Sequence, residues 1–490
     1  MNMLKLLPLE LKRLLQSRFT WLVIALTAFS PVLGLVLYKP ASATTMLSIY
    51  LANPAIAGGA AGGILFGVLT ICEWDRAVRH RVEVLMDAVV SPLSLALVRL
   101  SALMVCALCA FALTLLAWLP ISKGLIGAVF DLSDYALAYL LFMGLALPLG
   151  ILAAAAAYQF CRRADLALLL FAAFAALSLT LWADNWQLCW LNPCVWALSD
   201  DFSNVRIFRS VGYMRLTWLL ALSGMWTLSW LCVRQYGKGL LGSLRQNIRR
   251  IYRPAIVVIL LACSGTAYAA QPFVDHSNLD ETAMTFAELD YAEGVVCTAR
   301  SAQVFPDVQA GTLSGQASYW FANTSGKEQV VAFGVTPGYE ISHVQANGED
   351  APFTLSDYQE YNEAKLEVTI PAEKSVELTL DYAGFPQENR MMSTMQGSME
   401  ITGEYLCLEN AALSPRLMNV LPAGALYPTT IEITLPAQMT VIPFGDSEAN
   451  AVAHHEDGTT TWRYETGSTG GILYAGDYIR EDIAAGDLTI

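Results

Sequence analysis

Long apolar runs dominate the first half of the chain and limit what it can fold into. Six of them approach the roughly 20 residues that a helix needs to cross about 30 Å of hydrocarbon. Their expected bounds are Trp21–Tyr38, Pro54–Ile71, Ser94–Leu119, Tyr135–Tyr158, Leu166–Ala183 and Leu216–Val233. The second run is rich in glycine and alanine, which favours close helix packing over lipid exposure. The sequence therefore predicts a six-helix membrane domain over residues 20–236.

A seventh apolar segment, Pro254–Ala270, follows a basic stretch in the middle of the chain. Its basic head, short apolar run and Ala267-x-Ala269 have the form of a secretory signal with a small-residue cleavage site. Two outcomes stay open: an uncut signal-anchor helix, which we favour, or cleavage after Ala269. Residues 237–270 are thus predicted to form a basic cytoplasmic linker and a seventh transmembrane helix.

Charge divides the chain at the same place. Residues 1–270 hold 21 Lys and Arg against 11 Asp and Glu, whereas residues 271–490 hold 8 against 32. Basic residues in short loops stay cytoplasmic. With the N-terminus inside, 16 of the 21 basic residues of the first part fall in cytoplasmic segments. We therefore expect a multi-pass protein of the cell membrane whose acidic part, residues 271–490, is extracytoplasmic.

Short alternating runs fill the acidic part. "GQASYWFAN", "KLEVTI" and "TIEITLP" alternate apolar and polar residues, and Asn347-Gly348 is a turn signal. No helical pattern of convincing length interrupts them. The fold class that we predict is therefore an α-helical polytopic membrane domain, with six helices and a seventh signal-anchor, followed by an all-β extracytoplasmic sandwich or saddle domain.

Four cysteines fall in segments that are predicted to lie outside, where disulfides persist. Cys189 and Cys194 share one loop, and Cys297 and Cys407 share the β-domain. Two cysteines separated by four residues could instead bind a metal ion, but that loop contains no histidine. We favour disulfides, whose connectivity the sequence leaves open, and we expect no metal site.

Two cytoplasmic stretches have the pattern of a docking site. Residues 1–19 carry leucines at helical spacing with Lys5, Lys12 and Arg13 between them, which predicts an interfacial helix. After the second span, charged residues precede an apolar stripe and a helix restart at Ser91-Pro92. The residues expected to dock on a partner are Glu73, Asp75, Arg76, Arg79, Arg81, Leu85 and Pro92.

These stretches resemble the type-2 ABC transporter permease family over roughly residues 1–236. In that family an elbow helix with an E-L-K-R stretch precedes the first span, and the loop after the second span forms the coupling helix that docks into the ATPase subunit. Here "ELKRLLQSR" and "EWDR…VLMDAVVSPLS" fill those places. The resemblance implies a homodimer or heterodimer of permease chains working with ABC ATPase subunits. The alternative is the ordinary set of charged loops that any polytopic membrane protein has.

The chain has no legible catalytic motif of its own. No G-x-x-x-x-G-K-[ST] sequence occurs, so ATP and Mg²⁺ would belong to a partner subunit and this chain would bind no cofactor. The predicted spans hold almost no ionisable groups, which argues against an ion-coupled carrier. We expect lipid as a neighbour, no nucleic acid as a partner and no enzymatic activity.

The acidic half resembles the N-terminal β-domain of the M1 zinc aminopeptidases over roughly residues 280–480. The resemblance rests on "VQANGED", "AKLEVTIP", "VELTLDYAG" and "LYPTTIEITLP" in that order. An M1 enzyme needs H-E-x-x-H on a helix to hold zinc and activate water. This sequence has no such motif, and "AHHEDGTT" is expected to form a hairpin. Peptidase activity is therefore not implied.

Two hypotheses follow from these patterns. The first is a transport subunit that moves a substrate outward, while the β-domain receives the substrate, gates its passage or recruits a partner on the outer side. The second is a non-transporting scaffold whose β-domain binds extracellular peptides or a separate zinc peptidase.

Overall fold

The protein is described by a computed structural model. The described residues are 3–41, 45–79, 92–183, 185, 187–195, 197–200, 204–231, 245, 247–249, 251–270, 290–336, 338–357, 364–384, 400–403, 405–420, 428–443, 448–466, 472–478, 484–485 and 488–489. The chain divides into two compact units, one built up to Pro272 and the other from Phe273 onwards. This division lies at the boundary between the basic and the acidic part of the sequence.

The first unit is helical. Its helices are α1 (Met3–Leu15), α2 (Arg18–Phe29), α3 (Val32–Val36), α4 (Asn53–Arg79), α5 (Pro92–Ile126), α6 (Leu132–Ala138), α7 (Ala146–Cys161), α8 (Ala164–Leu179), α9 (Val205–Leu231) and α10 (Tyr252–Ala269). Two π-helical turns, Ser48–Ala52 and Tyr139–Gly144, lead into α4 and α7, and a 3₁₀ turn, Gly127–Val129, follows α5.

Five helical stretches of the described residues are long and apolar enough to cross a membrane. They are Arg18–Val36, Ser48–Arg76, Leu93–Val129, Leu132–Cys161 and Tyr252–Ala269, and they contain most of the first four predicted spans and of the seventh. The fifth prediction corresponds to α8, which has only 16 residues. The sixth falls in α9, whose arginines, serines, threonines and tryptophans lower its mean hydropathy. The structure therefore gives five such stretches, and the count of six plus one stays a prediction.

Small residues let α4 pack closely on its neighbours. A Cβ atom added at Gly150 of α7 would lie 2.2 Å from the carbonyl oxygen of Gly63 in α4. One added at Gly59 would lie 2.3 Å from the carbonyl oxygen of Phe142. Most of α4 is consequently buried inside the unit, as the composition of the second apolar run predicts.

The second unit is rich in β-strands. They are β1 (Val295–Asp307), β2 (Thr312–Asn323), β3 (Gln329–Val335), β4 (Tyr339–Ala346), β5 (Glu349–Asp350), β6 (Phe353–Asp357), β7 (Ala364–Ile370), β8 (Ser375–Gly384), β9 (Glu400–Ile401), β10 (Tyr405–Glu409), β11 (Arg416–Leu417), β12 (Thr429–Pro436), β13 (Thr440–Pro443), β14 (Asn450–His454), β15 (Thr459–Thr466), β16 (Ile472–Gly476), β17 (Ala484–Ala485) and β18 (Leu488–Thr489). One short helix, α11 (Asn410–Leu413), follows β10.

These strands form one large sheet and three smaller ones. The large sheet has the order β14-β15-β12-β1-β2-β8-β4-β5, in which β1 and β12 are parallel and the other described pairs are antiparallel. Two four-stranded sheets have the orders β13-β16-β10-β9 and β11-β3-β7-β6, and β17 pairs with β18. Asn347 and Gly348 join β4 to β5 with φ of 54° and 82°, which confirms the predicted turn.

Alternating side chains build the core of the β-unit. In β12 every second residue is buried, as expected for a strand with one face on a core. Hydroxyl groups of three tyrosines from the large sheet donate hydrogen bonds to the buried segment 412–415, at the end of α11. Tyr339 donates to the carbonyl oxygen of Ala412 at 2.8 Å. Tyr382 and Tyr319 donate to the carbonyl oxygens of Leu413 and Pro415.

Candidate functional site

The residues predicted to dock on a partner begin at the C-terminal end of α4. Glu73, Asp75, Arg76 and Arg79 occupy the last two turns of that helix. Pro92 is the first residue of α5. Arg81 and Leu85 lie outside the described residues, so their part in a docking segment stays a prediction.

The four charged side chains of α4 differ in exposure. The side chains of Glu73 and Asp75 are 8% and 13% exposed, whereas those of Arg76 and Arg79 are 54% and 74% exposed. The two carboxylates therefore face the helical unit, and the two guanidinium groups face outward. Of these four residues, only the arginines present their charge to a partner.

Glu73 is held by the first helix of the chain. Arg13 of α1 donates from Nη1 to Oε2 of Glu73 at 2.6 Å and from Nε to Oε2 of Glu10 at 2.7 Å. Arg99 of α5 lies with its Nε 3.6 Å from Oε1 of Glu10. We call Glu10, Arg13, Glu73 and Arg99 the charged junction. It links α1, α4 and α5.

The charges of the junction balance. Two buried carboxylates meet two guanidinium groups, which offsets the several kcal/mol that burying an unpaired ion would cost. Burial disfavours the charged form of Arg13, but hydrogen bonds and attraction from Glu10 and Glu73 outweigh it, so the pKa of Arg13 is raised. Arg13 consequently keeps its positive charge at physiological pH.

Asp75 links α4 to a fourth helix. Its Oδ1 accepts a hydrogen bond of 3.4 Å from the hydroxyl of Tyr158, which lies buried near the end of α7. Its other oxygen pairs with Arg79 one turn further along α4. Four helices thus meet at one end of the unit through ionic and hydrogen-bonded contacts. A displacement of the end of α4 must move its neighbours or break these pairs.

Two partners in the junction are not predicted by the sequence-based reasoning. Glu10 is the first residue of the elbow stretch "ELKRLLQSR", and Arg99 falls inside the predicted span Ser94–Leu119, but neither pattern indicates a partner for these charges. A local signal for Glu10 exists, because it lies four residues from both Leu6 and Leu14, which are buried. A carboxylate in the apolar stripe of an amphipathic helix needs a cationic partner.

Cys189 and Cys194, the two cysteines of the connection between α8 and α9, lie close enough to interact. Burial, with the neighbouring Cys194 thiol, raises the pKa of Cys189 to about 12. This proximity agrees with a disulfide, which stays a prediction. In the β-unit, the free thiol of Cys297 on β1 contacts the carbonyl oxygen of Ala299 at 3.5 Å. Cys407 lies on β10 in another sheet, and a bond between these two also stays a prediction.

The histidines of the β14–β15 hairpin contact threonines. His454 and His455 lie 3.0 Å and 2.8 Å from the hydroxyls of Thr460 and Thr461. The strands β14 and β15 pair in antiparallel fashion, which confirms the predicted hairpin. In the described part of the chain, no group of three His, Cys, Asp or Glu side chains is arranged to hold a metal ion.

Known proteins resemble this chain only in part. No protein-family model and no curated protein matches the sequence. The M1 zinc metallopeptidase from Deinococcus radiodurans aligns with a TM-score of 0.29 and 16% identity, over 40% of this chain and 46% of that chain. Native yeast LTA4 hydrolase aligns with a TM-score of 0.28 and 11% identity, over 39% and 31%. The chain thus spans less than half the length of either structure. This partial likeness is to M1 peptidase folds and assigns no activity.

Proposed function

We propose that this chain is the membrane-spanning permease subunit of an ATP-driven transporter of the ABC-2 type. It would export its substrate, and the β-domain would engage substrate or a partner on the outer side. The observation that carries the proposal is the charged junction, which together with the contact between Asp75 and Tyr158 links the end of α4 to α1, α5 and α7. A permease needs such a link in order to turn the movement of a docked ATPase into movement of its spans.

The exposed arginines at the end of α4 offer positive charge to a docked subunit. Arg76 and Arg79 project from the same turns whose carboxylates are fixed inside the unit. An acidic surface on an ATPase subunit would attract these guanidinium groups, while Glu73 and Asp75 would pass the displacement to α1 and α7. ATP and Mg²⁺ would bind the ATPase subunit, and this chain would contribute no catalytic residue.

Co-purification tests the proposal. A tagged full-length chain, purified from its native membrane in mild detergent, should retain an ABC ATPase subunit that mass spectrometry identifies. Charge reversal of Arg76 and Arg79 to Glu should release that subunit. Reversal of Arg245 and Arg249, which are also exposed but lie in the linker before α10, should not.

The outcomes separate the competing functions. Recovery of a zinc peptidase without an ATPase would favour the scaffold hypothesis. Recovery of an ATPase that the Arg76/Arg79 variant still retains would show that coupling lies elsewhere. Topology is tested independently with an impermeant thiol probe on intact cells. It should label a cysteine introduced at Ser356 of the β-domain and spare one introduced at Ser243.

A further inference from the structure

An arginine of α9 lies deep inside the helical unit. Arg215, in the first half of α9, is 1% exposed and is among the largest fully buried side chains. Its guanidinium meets carbonyl oxygens, and in the described part of the chain no ion pair joins it to a carboxylate. Burying such a charge is costly unless every donor is used. The position therefore indicates that the contacts of Arg215 have a specific role.

The carbonyl oxygens come from two separate elements. Nε and Nη2 donate to Leu141 and Phe142, each at 2.9 Å. These two residues belong to the π-helical turn before α7, and such turns are frequent at functional sites. Nη1 donates to Trp190 at 2.7 Å, and Nη1 and Nη2 each lie 3.3 Å from the carbonyl oxygen of Leu191.

Trp190 and Leu191 lie in the connection between α8 and α9. We call residues 187–195 and 197–200 the α8–α9 loop. Its described residues form no regular helix or strand, yet most of them, including Cys189 and Leu198, are buried. Buried backbone N–H and C=O groups need hydrogen-bond partners, and irregular backbone cannot obtain them from a helix or from a strand ladder. The bonds that hold this loop therefore decide its position.

Side chains of the surrounding helices supply those bonds. Ser178 of α8 accepts from the backbone N–H of Leu191 at 3.0 Å. Trp218 of α9 donates to the carbonyl oxygen of Gln187 at 2.8 Å. Ser48 accepts from the N–H of Leu198 at 2.8 Å. All of these contacts can break without unfolding a helix. Arg215 is the contact that joins the loop to α9 and to the π-helical turn at once.

We propose that the α8–α9 loop is a movable closure of the helical unit and that Arg215 is the latch that holds it shut. In the closed state Arg215 binds the loop and the π-helical turn together. A shift of α9 relative to that turn separates the two pairs of carbonyl oxygens and releases the loop. The inference rests on the proposed function in one respect, since a transporter needs a closure of this kind. The latch itself is testable without an ATPase.

Cys189 is a built-in reporter of the closure. Its side chain is fully buried in the loop, and burial holds the pKa of its thiol well above the usual range. Release of the loop exposes the thiol and lowers its pKa, so the rate of alkylation rises for two reasons. Cys106 of α5 lies in the core of the same unit and reports unfolding of the helices instead.

The experiment measures alkylation at each cysteine. The purified full-length chain in mild detergent is reduced, treated with a maleimide, and digested for mass spectrometry of the peptides that contain Cys189 and Cys106. Arg215→Gln should raise the rate at Cys189 by about tenfold or more, because charge-assisted hydrogen bonds to the loop are lost. The rate at Cys106 should not change. Arg209→Gln, an exposed position on the same helix, should leave both rates unchanged.

Each outcome decides the question. An unchanged rate at Cys189 in Arg215→Gln would overturn the latch. If Arg215→Gln exposes both cysteines, Arg215→Lys decides, because it keeps the charge and loses the planar fork. Selective reactivity of Cys189 in that variant supports the latch, and joint exposure with Cys106 shows that Arg215 holds the whole fold. Selective opening without any co-purifying ATPase would support the latch and remove the transporter assignment.

Discussion

Replacing Arg13 with glutamine should destabilise the helical unit through the charged junction. Arg13 is hydrogen-bonded to Glu10 at 2.7 Å and to Glu73 at 2.6 Å, and both carboxylate side chains are only 8% exposed. Removing one partner of a buried ion pair typically costs about 3–5 kcal/mol, because the remaining charge is left unpaired. Glutamine retains donors to one carboxylate but carries no charge.

Two features reduce this cost. The side chain of Arg13 is 36% exposed, so water screens part of its interaction with the carboxylates. Arg99 and Arg76 also stay within 3.6 Å and 3.7 Å of Glu10 and Glu73. We therefore expect a loss of about 2 kcal/mol, below the full cost of a broken buried pair. The control, Arg76→Gln, removes a 54% exposed partner at 3.7 Å and should cost about 0–1 kcal/mol.

The assay is unfolding of the full-length chain in mild detergent by titration with a denaturing detergent. A double-mutant cycle with Glu73→Gln isolates the pair, because the two variants should not be additive when the side chains interact. Destabilisation by Arg13→Gln no larger than that by Arg76→Gln, together with an additive cycle, would refute the reasoning. It would mean that the contact between α1 and α4 is a surface pair of no mechanical consequence.

Three further results are expected. Gly150→Ala should destabilise the helical unit by about 1–3 kcal/mol, because the added Cβ would lie 2.2 Å from the backbone of α4. The control Gly265→Ala places its Cβ in open space, so equal melting temperatures of the two variants would contradict this. Burial raises the pKa of Tyr339 and Tyr382, so the folded β-unit keeps two phenolic protons that the unfolded chain loses near pH 10. The free energy of unfolding should therefore fall above about pH 10 by ~1.4 kcal/mol per pH unit for each tyrosine. Tyr382→Phe should flatten that slope in alkaline unfolding, and tyrosinate absorbance that rises before unfolding would argue against it. The chain should migrate as one species of about 53.4 kDa, and Ala269→Leu should not change this, because Ser264 and Leu261 hold α10 against α9. A soluble fragment that starts near Ala270 and disappears in the variant would show cleavage.

The sequence by itself determines which elements form. An apolar run such as Ser94–Leu119 favours a helix in any arrangement of its neighbours, because a helix satisfies its own backbone hydrogen bonds. The alternation in "TIEITLP" specifies a strand with one buried face in the same local way. Asn347-Gly348 specifies a tight turn because both residues tolerate positive φ. The glycines of α4 likewise indicate close packing, although not the helix against which they pack.

Only the tertiary structure decided where the charges of the helical unit go. Glu73 and Arg76 are three residues apart in one charged cluster, yet one faces Arg13, 60 residues away in the sequence, and the other faces outward. Arg215 directly precedes the predicted span Leu216–Val233 in the sequence, but its guanidinium binds backbone carbonyl oxygens of residues 141–142 and 190–191. Backbone acceptors leave no mark in the sequence, and the partner of a charge depends on which helices pack together. The local pattern specifies the helices, and their packing specifies the junction and the latch.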